Sequence, residues 1–265
     1  MSLDNVTVLC IGDVVGRIGR EVLIDQLPTL QSTYSVDVTV VNIENAAGGY
    51  GITPKIYGEL SQLPIDCFTS GDHVYDKRES LRCFSQFDRL IRPANFPPQS
   101  PGVGFRVIHV NGFRLAIINL IGRVFMRPMA CPFETIDRLL PDIEADGILV
   151  DFHAEATSEK VAMGRYLTSR VSALFGTHTH VMTADESILS QSTAYITDIG
   201  MTGAVDSVIG METDLSLQRF LTHVPVRLDV PKTRHGQLNG VLIRLDRTTG
   251  KGVHIQRIFE RVFVR

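Results

Sequence analysis

Short apolar runs rich in Val and Ile recur at 6–11, 36–41, 67–69, 113–118, 148–152, 173–175 and 194–196, and their unbroken hydrophobicity suits strands buried on both faces. Segments with helical spacing of apolar positions lie between several of them, at 20–31, 53–63, 77–84, 133–140 and 158–168. This alternation predicts an α/β protein with much parallel pairing. From 238 onward the pattern changes. Apolar stretches at 240–245 and 253–259 flank a Thr-Thr-Gly-Lys-Gly turn, predicting a closing β-hairpin that adds antiparallel strands to a sheet edge. The Pro- and Gly-dense stretch 93–104 reads as an ordered surface loop. Without an internal repeat or low-complexity hinge, the expectation is one domain over 1–265, with a segment around 123–132 available as a small cap.

The polar residues matter most where they follow the strands, because ligands of open α/β sheets bind outside the carboxyl ends. Gly12-Asp13 follows the first run, Asn42-Ile43-Glu44-Asn45 the second and Ser70-Gly71-Asp72-His73 the third; later runs deliver Asp151-Phe152-His153 and Gly176-Thr177-His178-Thr179-His180. Each has a bland local reading: Asp13 as a helix N-cap, Glu44-Asn45 as turn polarity, His153 as a satisfied core histidine. His178 and His180, two apart after a strand, point to one side if the chain stays extended. Five such strand ends together are costly to gather unless something cationic sits among them. Carboxylate, amide oxygen and imidazole suit Mn, Fe or Zn better than Ca or Mg, and the candidate ligands are too many for one tetrahedral ion. Two metals bridged by a carboxylate are the arrangement used for in-line displacement at phosphorus.

Composition narrows the setting. With 26 Lys and Arg against 29 Asp and Glu, the near-neutral chain lacks the surplus of a polyanion-coating protein. Its four cysteines are widely spaced, which reads as reduced thiols in a cytoplasmic protein, with Cys10 and Cys67 as packing inside apolar runs. No signal peptide or membrane span is evident, so no membrane partner is expected.

The ordered set GDVVGRIGR (12–20), NIENAAGGYGIT (42–53), TSGDHVYDKRE (69–79), RPANFP (92–97), DFHAEATSEK (151–160), GTHTHVMTAD (176–185) and TDIGMTG (197–203) resembles the YmdB-type family of bacterial calcineurin-like metallophosphoesterases. The resemblance implies a four-layer αββα sandwich of two mixed β-sheets flanked by helices, with a dinuclear centre at the sheets' carboxyl ends. It also implies phosphodiesterase activity on cyclic nucleotides, above all 2′,3′-cyclic nucleotides. The family pattern makes Asp13, Glu44, Asn45 and His180 ligands of one divalent transition metal, with Glu44 bridging to a second held by Asp72, His153 and His178. Iron or manganese is the expected pair, with zinc as the alternative. His73 becomes the proton donor to the leaving group. The chain departs from the pattern at Asp72, where a Gly-Asn-His motif would place Asn; the added charge should lower Lewis acidity and retain the metals more tightly.

In the expected mechanism a metal-bridging hydroxide attacks phosphorus and His73 protonates the departing oxygen. Asp76 is a candidate to orient His73, with a helix N-cap as its plainer reading, and Asn95 is a candidate phosphate or supporting contact, with loop structure as the alternative. Arg17, Arg20 and Lys160 are phosphate candidates for which solvated surface is the simpler reading. Three rivals stand beside the diesterase. An amidohydrolase carries His-x-His on the first strand of its barrel, whereas here it arrives at 178. A phosphomonoesterase of the same fold and a low-turnover nucleotide- or RNA-binding regulator remain open, although no basic stripe or aromatic stacking motif points to RNA. Apolar residues in 205–211 and the Pro-rich loop offer surface to a second copy, so a homo-oligomer is expected.

Overall fold

The computed structural model describes residues 4–264; residues 1–3, part of the stretch read for a signal peptide, and residue 265 lie outside them. The first half of the chain runs β1 (Asn5–Ile11), β2 (Asp13–Val14), α1 (Gly16–Tyr34), β3 (Val38–Asn42), α2 (Pro54–Leu60), β4 (Cys67–Thr69), α3 (Ser80–Gln86), β5 (Phe105–Val110) and β6 (Phe113–Ile121). It continues with α4 (Pro132–Leu139), β7 (Gly147–His153), α5 (Thr157–Tyr166), β8 (Ala173–Thr177), β9 (Ser187–Leu189), β10 (Thr193–Ile196), β11 (Met201–Ala204), α6 (Thr213–Thr222), β12 (His235–Asp246) and β13 (Gly252–Phe263). Every apolar run of the sequence is a strand. Between the described residues no helix is long and apolar enough to cross a membrane.

Two mixed sheets result. The first has the order β2-β11-β12-β1-β3-β4, with β13 also paired to β12, and the second the order β5-β6-β7-β8-β10-β9. Strand alternation sorts the side chains into layers. On β1, Leu9 and Ile11 pack with Val22, Leu23 and Leu27 of α1, whereas Val6, Val8 and Cys10 face the second sheet and meet Leu115, Ile117, Leu149 and Phe175. The far face of the second sheet sends Ile118, Val150 and Phe152 against Ile136 of α4 and Met163 of α5. Helix, sheet, sheet and helix therefore stack as the expected αββα sandwich. Cys10 and Cys67 are buried between the sheets, and burial pushes both thiols up, as befits packing residues.

The C-terminal hairpin adds its two antiparallel strands to the edge of the first sheet, as expected, with β13 outermost. Its first strand, β12, pairs antiparallel with β1 from Asn5↔Asp246 to Ile11↔Gly240 and also touches β11, while β13 takes its other side. β12 is buried on both faces: Leu242 enters the helix-side core and Val241 and Ile243 the inter-sheet core. Elsewhere α1 runs further than its apolar pattern, from Gly16 to Tyr34 with Pro28 inside it. The pattern did not announce α6, because Ser216 alone of its residues is buried and its Leu217, Phe220 and Leu221 are exposed.

Candidate metal centre

β1, β3 and β4 run parallel in the first sheet and β7 and β8 run parallel in the second, so five strands end at one edge of the sandwich. That edge collects the expected residues. Asp13 lies on β2, immediately beyond β1; Glu44 and Asn45 follow β3; Asp72 and His73 follow β4; His153 closes β7; His178 and His180 follow β8. Asp13, Glu44, Asn45 and His153 are buried. Asp13 is not a helix cap, since α1 begins after Val15 without a side-chain cap.

One group is a ring of acceptors. Glu44, Asp72, His153 and His178 each offer a ligand atom within 4.8 Å of the others. The Thr177 hydroxyl donates to Asp151 at 2.7 Å, so at 2.9 Å it accepts from His153 Nδ1–H and leaves Nε2 as the bare nitrogen. The Glu155 carboxylate, 3.1 Å from His178 Nε2, favours the proton on that nitrogen and a bare Nδ1. His153 Nε2 then lies 3.0 Å from His178 Nδ1, 3.1 Å from Glu44 Oε1 and 3.1 Å from Asp72 Oδ1. Four acceptors facing one another fit a cation. Without one, a proton takes that role: burial opposes a charged His153, yet Glu44 and Asp72 raise its pKa well above the ordinary value. Asp72 is held well below the usual carboxylate range, its burial outweighed by hydrogen bonds with His153 and His178. Gly71 makes the close approach feasible, since a Cβ there would collide with the His153 ring and Glu44 Oε2.

A second group lies beside the first. His180 Nδ1–H donates to the Ile209 carbonyl at 2.7 Å, leaving Nε2 to accept from the Asn45 amide at 3.2 Å. That amide also donates to Glu44 Oε1 at 3.2 Å, so both its hydrogens are used. Asn45 Oδ1 and Asp13 Oδ1 are buried without a hydrogen-bond partner, and Asp13 Oδ1 stands 3.8 Å from His180 Nε2. Two orphaned oxygens and a bare imidazole nitrogen are again a donor set for a cation. Glu44 borders both groups.

The His-x-His pair reaches the site by a route the extended reading did not anticipate. His178 and His180 both have left-handed backbones, with φ of 99° and 65°, and His178 N–H donates to Asp13 Oδ2 at 3.2 Å.

His73 stands at the rim. Its backbone N–H donates to Glu44 Oε2 at 3.1 Å, Tyr50 packs edge-on against its ring, its Nδ1 lies 2.7 Å from Asp76 Oδ2, and its Nε2 lies 3.9 Å from Asp72 Oδ2. Asp76 is not the cap of α3, which starts at Ser80 behind Glu79. Asn95 is buried and fully used: its amide donates to the Ile121 and Ala130 carbonyls and its oxygen accepts from Ile121 N–H, so it braces a loop. The 123–132 segment starts with the Arg123 and Val124 N–H groups held by Glu159, and Arg127 reaches to 3.7 Å from Asp76. Of the basic candidates, Arg17 is exposed and paired with Glu21, and Arg20 donates to the Ala46 carbonyl. Lys160 departs from the solvated reading altogether, being fully buried. The sequence reading also passed over Glu155 and Thr177, although both lie within the His-bearing motifs, because a carboxylate or hydroxyl next to a ligand carries no spacing signature of its own.

Carboxylate, amide and imidazole groups are thus gathered at the strand ends of a two-sheet αββα sandwich. The same sandwich is seen at 10% identity in the NAD nucleotidase of Haemophilus influenzae, with a TM-score of 0.61 over 97% of this chain and 56% of that one, a likeness of fold alone. A sequence profile of the YmdB-like proteins matches residues 9–258, and the chain belongs to that family. It is 46% identical to the 2′,3′-cyclic-nucleotide 2′-phosphodiesterase of Bacillus subtilis across 95% of this chain and 96% of that protein. The crystal structure of a phosphatase from Mycoplasma pneumoniae superimposes with a TM-score of 0.93 at 33% identity, covering 97% of this chain and 94% of that one.

Proposed function

We propose that this protein is a dinuclear-metal-dependent phosphodiesterase that opens 2′,3′-cyclic nucleotides. One observation carries the reading: bare nitrogens and carboxylate oxygens converge in two adjoining groups, with Glu44 bordering both. Asp13, Glu44, Asn45 and His180 would hold one ion, and Glu44, Asp72, His153 and His178 the other. The mixed oxygen and imidazole set suits iron or manganese, with zinc as the alternative. When bound, such a pair supplies a nucleophilic water at neutral pH and stabilises charge at phosphorus.

The chain's own groups do the rest. His73 Nε2, at the rim, would hand its proton to the ribose oxygen as the ester bond to phosphorus breaks, and Asp76 keeps that ring oriented and charged beforehand. Thr177, Glu155 and the Ile209 carbonyl each keep one ring nitrogen of a histidine bare. The whole chain acts as one domain in this reading, with 123–132 as a small cap on the His73 side. The identity to the B. subtilis diesterase supports the choice of substrate.

The test is a substrate panel on protein loaded with manganese or iron: 2′,3′-cyclic AMP, bis-p-nitrophenyl phosphate and p-nitrophenyl phosphate. The reading expects ring opening to a single monophosphate and much slower release from the monoester. Turnover of the monoester alone would replace it with a phosphomonoesterase, and tight binding of the cyclic nucleotide without turnover would replace it with a regulatory binder.

A further inference from the structure

Between and beside the two histidines after β8 stand two threonines, and the second, Thr179, is held from beneath by a charged pair that the reaction itself does not use. Asp198 Oδ2 accepts from Thr179 N–H at 3.2 Å and from the Thr179 hydroxyl at 2.8 Å, while its Oδ1 accepts from Gly200 N–H at 2.8 Å. The same Oδ2 lies 2.6 Å from Lys160 Nζ. Lys160 is 0% exposed and Asp198 1%, so both charges are out of water. Lys160 arrives from α5, passing beneath β8 where Gly176 lacks the Cβ that would meet the lysine Cδ at 2.9 Å.

Thr179 is the residue between two left-handed histidines. A backbone that turns left-handed at His178 and again at His180 has no local reason to do so, and such conformations persist only where surroundings over-determine them. Asp198 grips the single residue between them at both its N–H and its side chain. A neutral acceptor could make those bonds more weakly, whereas an ionised carboxylate makes them strongly. An unpaired carboxylate buried this deeply would be costly, and Lys160 cancels its charge at 2.6 Å.

We infer that Lys160 and Asp198 are positioning residues which, through Thr179, set the two histidines of the His178-Thr179-His180 turn for metal binding. The inference rests on the reading of those histidines as ligands. Because His178 and His180 belong to different groups, loosening Thr179 weakens both ions.

The experiment titrates metal-free protein with Mn²⁺ by calorimetry, comparing wild type with Thr179→Val, Thr179→Ser, Asp198→Asn, Lys160→Met and His178→Ala, and records each metal-free melting temperature. Thr179→Val is expected to weaken Mn²⁺ binding about 10- to 100-fold at both sites, the range typical of lost ligand support, with a melting temperature close to wild type. Thr179→Ser, which keeps the hydroxyl, should restore affinity, and Asp198→Asn should fall with Thr179→Val. Wild-type affinity in Thr179→Val would overturn the inference even if the two variants of the charged pair fail to fold. If His178→Ala also binds Mn²⁺ as wild type does, the failure lies instead in the reading of the histidines as ligands.

Discussion

Asp76 Oδ2 sits 2.7 Å from His73 Nδ1, three residues away on the same loop. Burial disfavours the charged ring, yet Glu44, Asp72 and Asp76 together outweigh it and raise the His73 pKa above its ordinary 6.5. A raised folded pKa means that His73 stabilises the fold fully below about 6.5 and that this contribution is lost as pH climbs through the higher folded value. The same sign governs activity, because a proton donor must be protonated. Turnover of wild type should therefore fall as pH rises, and Asp76→Asn, which removes the carboxylate that touches Nδ1 whether or not cations neutralise Glu44 and Asp72, should move that basic limb downward. Rate profiles of the two proteins between pH 5 and 9 check the shift; superimposable basic limbs would remove Asp76 from the mechanism.

His73 and the ligand histidines should separate cleanly on substitution. His73→Ala is expected to retain both metals and lose about 10²- to 10⁴-fold in kcat, the usual contribution of a positioned acid. His153→Ala and His178→Ala should lose metal. Elemental analysis of the purified variants, alongside turnover of a cyclic nucleotide, distinguishes the two behaviours, and near-wild-type hydrolysis by His73→Ala ends its assignment as donor.

Metal and proton compete for His153. Its raised pKa means that cations must displace a proton, so metal affinity should drop as pH falls through that value. Binding isotherms at a series of pH values, with proton release measured in buffers of different ionisation enthalpy, would reveal the exchange. A pH-independent affinity would contradict it.

Asp72 carries a charge at a position where a neutral amide could also offer an oxygen. Asp72→Asn removes one negative charge from the group it shares with Glu44, His153 and His178. Metal retention should weaken about tenfold while kcat rises, because a less neutralised cation is the stronger Lewis acid. Dialysis against a chelator followed by metal analysis tests the first effect and initial rates the second.

Gly71→Ala places a methyl group against the His153 ring and Glu44 Oε2. Metal content should fall below that of wild type, and the stabilisation that wild type gains on metal addition should be lost from the melting curve. A variant that binds metal normally would mean that the ring of acceptors can widen without cost.

How much of this was written in the sequence varies with the physics of each feature. Strands such as Val6–Ile11 and Gly147–His153 announce themselves because burial on both faces demands unbroken apolar residues. The ligand set is legible for a related reason: parallel strands bring their carboxyl ends together, so polar residues after successive apolar runs must meet. The supports are less legible. Lys160 reads as an ordinary surface lysine on a helix, and only the route beneath Gly176 shows that it ends in the interior. The left-handed turns at His178 and His180 are invisible to spacing, since His is not a residue that announces such a backbone. The hairpin's place at a sheet edge was legible but its neighbour β1 was not, because a strand's sequence records how deeply it is buried and not which strands flank it.

That last placement bears on how the molecule folds. β12 supplies the antiparallel partner of β1, pairing Asn5 with Asp246 and Ile11 with Gly240. Until the hairpin docks, β1 has one open edge, and β11, which steadies Asp13 through β2, lacks its neighbour. Completing the Asp13 side therefore requires a pairing between distant parts of the chain, the kind whose loop closure slows folding.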